Sequence, residues 1–129
     1  MATFYANMTA RKATFDVEVE PNEFGGYEVR TAVRLDWVVC EQTTLVPFKG
    51  KPLTPDGMQE AIARTCERAY RAIRAPRTKC RPAACNNVAR LAVQDVMEAI
   101  AVATINGQIP SGLLHSDEGF SAALAYLAQ

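Results

Sequence analysis

Apolar and polar residues alternate strictly in two runs early in the chain, and the period then changes to that of a helix. In the first run Phe15, Val17 and Val19 are separated by Asp16, Glu18 and Glu20. In the second, Tyr27, Val29, Thr31, Val33, Leu35, Trp37 and Val39 share one parity, and Glu28, Arg30, Ala32, Arg34 and Asp36 the other. A period of two is the signature of a half-buried strand. The stretch from Pro21 to Gly26 between the runs is rich in turn formers, which makes the pair a hairpin. Antiparallel pairing sets either Glu18 opposite Arg30 or Asp16 opposite Arg34, and both registers keep the apolar faces together. A third short strand is expected from Thr43 to Phe48, ended by Pro47 or Gly50.

Beyond that point the pattern is helical. Thr54-Pro55-Asp56 opens a helix, since threonine caps, proline suits the first turn and aspartate favours the positive helix end. Pro76 disfavours helical geometry before it, so the helix is expected over 55–74, with Met58, Ile62, Cys66, Ala69 and Ile73 as its apolar stripe. Residues 77–85 read as a basic loop. A second helix is expected over 87–105, capped by Asn86 or Asn87 and stopped at Asn106-Gly107. Its apolar residues cover most of its circumference, with Arg90, Gln94 and Glu98 as a narrow polar stripe. A third helix is expected over 117–128, with Ser116 as its cap. The expected architecture is α+β: an N-terminal antiparallel β-hairpin or three-stranded meander over 13–48, followed by three α-helices. At 129 residues, the chain suits a single domain over 1–129 with one modest core.

Composition excludes several classes. Hydrophobic residues make up 49% and charged residues 22%, which fits a globular chain and not a disordered one. Fourteen basic residues balance fourteen acidic ones, so net charge alone points to neither nucleic acid nor membrane. The longest apolar stretch, 88–105, is interrupted by Arg90, Asp95 and Glu98, which argues against a membrane span. The N-terminus lacks the basic start and apolar core of a secretory signal. The expected location is the cytoplasm of a bacterium or of an infected host cell. There the four cysteines stay reduced, and the acceptor pattern Asn7-Met8-Thr9 carries no glycan.

Charge is segregated along the chain. From Arg64 to Arg90 there are eight basic residues and one acid, Glu67, while Thr14 to Glu28 holds five acids and no base. Arg64, Arg68 and Arg71 fall on one side of the first helix, close to Arg74, and Arg77, Lys79 and Arg81 extend the run into the loop. Such a patch suits phosphate or an acidic protein. It also suits an ordinary solvated face, because Glu60 to Arg64 and Glu67 to Arg71 have ion-pair spacing on a helix. Tyr70 is the one aromatic among these arginines, so base stacking is not indicated.

Catalytic and metal-binding constellations are weak. Cys66, Cys80 and Cys85 with Cys40 or His115 lack the tight spacing of structural zinc sites, and Cys66 falls on the apolar stripe. His115, the single histidine, adjoins Ser116, which has a plainer task as a cap. Gly25-Gly26 joins two strands, so it is a turn and not a nucleotide loop. No metal, cofactor or enzymatic activity is expected. Small residues on the second helix permit close helix approach, so a homo-oligomer interface is expected at Val88, Leu91, Val96 and Ile100.

These features together lead to the expectation of a small non-enzymatic interaction protein. It would bind an acidic protein surface or nucleoprotein complex through Arg64, Arg68, Arg71, Arg74, Arg77, Lys79 and Arg81. In size and character it resembles phage-encoded inhibitors of bacterial defence, including the anti-CRISPR class. Two alternatives use the same arginines: a nucleic-acid-binding module, and an oligomeric binder of a small phosphorylated ligand.

Overall fold

The computed structural model describes residues 4–10, 13–21, 26–46, 54–73, 80–113 and 119–127. Strands β1 (Phe4–Ala10), β2 (Ala13–Pro21), β3 (Tyr27–Leu35) and β4 (Val38–Val46) are followed by helices α1 (Pro55–Ile73), α2 (Ala83–Ile105) and α3 (Gly119–Leu127). The strands form an antiparallel meander in the order β1-β2-β3-β4. The molecule is α+β, as the change of period requires.

Alternation places the sheet. On β2 and β3, Ala13, Phe15, Val17, Val19, Tyr27, Val29, Thr31 and Val33 are buried, while the residues between them are partly or fully exposed. One face of the sheet therefore carries the core and the other faces water. Glu18 pairs with Arg30 and Asp16 with Ala32, which selects the first of the two expected registers. α1 lies over β3 and β4, and α2 packs against α1 and reaches β1. A single core joins the layers through Phe15, Met58, Ile62, Val88, Ile100, Ile109 and Leu124, among others. Each such side chain contributes roughly 1.5–3 kcal/mol by its removal from water.

The sheet has one strand more than expected. β1 pairs with β2 in a register that sets Phe4, Ala6 and Met8 opposite Val19, Val17 and Phe15. Its alternation is faint in sequence because alanine has low strand propensity. The expected second strand folds back after Leu35, and its end joins the described part of the expected third strand in one continuous β4. β3 ends at Leu35, Asp36-Trp37 forms the turn, and β4 begins at Val38. Asp36 takes a φ of 55°, a left-handed conformation that aspartate tolerates. Positive φ at the first turn position matches the twist of the flanking strands. Trp37 and Val39, expected on the buried face, are instead exposed.

The helix ends show local chemistry. The Gly57 amide donates to the Thr54 hydroxyl at 3.0 Å, so Thr54 is the cap of α1. α2 ends in a Schellman motif: Gly107 (φ 77°) donates to the Thr104 carbonyl at 3.1 Å and Gln108 to that of Ala103 at 2.9 Å. Its start corrects the expectation. The helix begins at Ala83 after Pro82, without a side-chain cap. Ala83-Ala84 are strong helix formers, and the Asn86 side chain accepts a hydrogen bond from Arg81 at 3.3 Å instead of capping. The cap expected at Ser116 lies outside the described residues.

Candidate functional site

The arginine surface is built on α1, whose apolar stripe (Met58, Ile62, Cys66 and Ala69) is buried on the sheet. That orientation turns Arg64 and Arg68 outward. Arg64 reaches Glu60 at 3.6 Å with 56% of its side chain exposed, a loose pair worth little. Arg68 donates to the Thr43 carbonyl at 2.5 Å and the Thr44 hydroxyl at 2.6 Å, both on β4. From Thr44 the polar chain continues inward: the fully buried Thr65 hydroxyl lies 2.6 Å from it and donates to the Ala61 carbonyl at 2.6 Å. These contacts fasten α1 to the edge of the sheet.

Arg71 and Arg81 have different surroundings. Arg81 holds Glu60 with two parallel bonds of 2.7 and 3.0 Å and Glu67 at 3.0 Å. Arg71 donates to Glu67 at 3.0 Å and to the Cys80 carbonyl at 3.1 Å. Glu67 therefore lies between two guanidinium groups, and Arg81 ties α1 to the start of α2. The hydrogen bonds from Arg81 hold the Glu60 carboxyl below its usual range. Burial of Glu67 acts the other way, but the bonds from Arg81 and Arg71 prevail and hold it low as well. The surface brings together Arg64, Arg68, Arg71 and Arg81, with Glu60 and Glu67 among them. Arg68 has neutral oxygens as partners, so positive charge remains in excess there. Arg74, Arg77 and Lys79 lie outside the described residues.

The expected oligomer face divides. Val88, Val96 and Ile100 are each about 1% exposed in the chain's own core, whereas Leu91 is 42% exposed. A second subunit can touch Leu91 but not the other three while the chain is folded.

The opposite side of the sheet is acidic. Arg30 bonds Glu20 at 2.5 Å and lies 3.6 Å from Glu28. Glu18 and Glu20 share a hydrogen bond that raises the first carboxyl and lowers the second. Neither Cys66 nor Cys85 is poised as a nucleophile. Burial pushes the Cys66 thiol up to about 12, with Cys85 nearby adding to it, and burial pushes Cys85 up to about 11. Among the described residues no three His, Cys, Asp or Glu side chains converge as a metal requires, and His115 lies outside them. A cleft of about 390 Å³ between α2 and α3 is lined by Ala103, Gln108, Ile109, Tyr126 and Leu127. Among the described residues its lining has no carboxylate, imidazole or thiol. No described helix is long and apolar enough to cross a membrane.

Sequence reasoning missed Thr43, Thr44 and Thr65, which position Arg68, and Glu60 as the partner of Arg81. Threonines in a strand carry no signal of a helix arginine far along the chain. Comparison with protein-family models, curated proteins and solved structures finds no match to this chain.

Proposed function

We propose that the chain is a small non-enzymatic interaction protein of the cytoplasm. It binds the acidic surface of a larger protein or nucleoprotein complex through the arginine face of α1 and the segment that follows it. The observation that carries this reading is the placement of Arg68 and Arg64. Arg68 is held in the open by neutral oxygens, and Arg64 lies one turn away with more than half its side chain exposed. The fixed Arg68 and the exposed Arg64 beside it form an incompletely neutralised guanidinium pair suited to carboxylate or phosphate. Arg71 and Arg81 support that face by locking its carboxylates, and Arg74, Arg77 and Lys79 lengthen it in sequence. Inhibition of a bacterial defence complex by a phage protein is the biological setting this reading fits.

The test is capture of partners from host lysate by the wild-type chain and by an Arg64→Glu/Arg77→Glu variant, which spares the Arg68 and Arg81 contacts. A protein or nucleoprotein retained by the first and lost by the second is expected, with unchanged circular dichroism. Equal retention by both overturns the assignment to this face. Binding to purified duplex DNA that weakens steeply with salt identifies the nucleic-acid alternative. Phosphorylated small-molecule mass retained in a native mass spectrum identifies the other.

A further inference from the structure

β4 is an edge strand, since the sheet order ends on it. Alternate N–H and C=O groups along it therefore point away from β3. Edge strands in monomeric proteins are blunted by charge, proline or cover. The start of β4 shows the opposite pattern. Trp37 is 98% exposed, Val38 53% and Val39 54%. Val38 and Val39 differ in parity, so both faces of the strand are apolar at this point. An edge strand that is apolar on both faces at one end invites pairing with another chain. Among the described residues the guard comes further along, from the exposed Glu41 and from Arg68, which occupies the Thr43 carbonyl.

One register of self-pairing of this edge centres on Cys40. Trp37 lies three positions before it and Thr43 three after, and Val39 and Glu41 lie one position to either side. A two-fold axis at Cys40, with two β4 strands antiparallel, sets Val39 of each copy opposite Glu41 of the other. Arg34 is the β3 neighbour of Val39, so each Glu41 carboxylate comes within side-chain reach of the Arg34 guanidinium of the other copy. Trp37 of each copy comes opposite Thr43 of the other at the border of the contact. Neighbouring registers lose this match. Centring on Glu41 opposes two carboxylates, and centring on Val39 sets Glu41 against indole. A one-residue slip exchanges the two faces of the sheet.

We infer that a second copy of this chain docks along the β4 edge through a two-fold axis at Cys40, joining two four-stranded meanders into one continuous sheet. This interface is separate from α2, and it reaches Arg68 only at its border. Sedimentation equilibrium of the full chain and of two variants tests it. The wild type is expected to form a dimer at concentrations up to about 100 μM, the range of a small interface. Val39→Lys places an ammonium group against the other copy and is expected to raise the dissociation constant about tenfold or more. Its thermal melt stays unchanged, because Val39 lies outside the core. Leu91→Lys, on the exposed side of α2, is expected to leave the dimer intact. A wild type that stays monomeric overturns the inference. A dimer that survives Val39→Lys, or one broken by Leu91→Lys, overturns it too.

Discussion

Arg81 bonds two carboxylates and an asparagine from two helices, with 23% of its side chain exposed. Its loss leaves Glu60 and Glu67 partly desolvated, so Arg81→Ala is expected to cost about 1–2 kcal/mol in chemical denaturation. Arg64→Ala, which removes a loose exposed pair, is expected to cost about 0.5 kcal/mol or less. The pH dependence follows from the same contacts. The Glu60 and Glu67 carboxyls are held below their ordinary value of 4.5. Their stabilisation is therefore complete above that value and is lost as pH falls through the depressed folded values. Urea midpoints measured from neutral to acid pH are expected to fall less steeply below that value in Arg81→Ala than in the wild type. The cysteines give a second residue-level expectation. Cys80 is exposed, whereas Cys66 and Cys85 are buried with raised thiols, so alkylation of the native chain should modify Cys80 first. Labelling of Cys66 and Cys85 should follow the global unfolding rate. Fast labelling of either would mean that α1 and α2 separate locally.

Among the elements, α1 shows how local signals and tertiary contacts divide the work. Its start was legible because capping involves only Thr54 and Gly57, three residues apart. Thr54→Ala is expected to lower stability by about 1 kcal/mol, with the thermal melt as the measure. Its stripe was legible because period alone selects Met58, Ile62, Cys66 and Ala69. α2 was harder to read. Apolar residues surround it, so no period shows which side faces inward. Packing decides that Ile100 is buried and Leu91 is not. Ile100→Ala is expected to cost about 2–5 kcal/mol, while Leu91→Ala should stay within about 1 kcal/mol because no cavity opens at a half-exposed site. Equal costs would show that α2 is buried on both sides, against a second chain.

At the scale of the whole molecule, the sheet has a covered face, an acidic open face and an edge that ends in the chain's single tryptophan. Because Trp37 is almost fully exposed, its emission in dilute solution should resemble that of free indole in water and be quenched readily by iodide. A blue shift on concentration would report burial of the indole between copies. Protected, blue emission at every dilution would contradict the position of the turn at Asp36-Trp37. That turn has no glycine or asparagine to announce it, so the alternating run continued through it unbroken in sequence. The sequence by itself determined that strands precede helices, that its two alternating runs pair antiparallel, the first helix cap and the stop at Gly107, while the structure chose Glu18–Arg30 between the two registers. Each depends on residues close along the chain or on a period that survives without context. Only the tertiary structure decided which side of α2 is core, where the second alternating run folds back, and which arginines are neutralised. The bonds from Arg81 to Glu60 and from Arg68 to β4 join residues more than twenty positions apart. No spacing rule reaches across that distance, because the contact exists only once α1, α2 and the sheet have packed together.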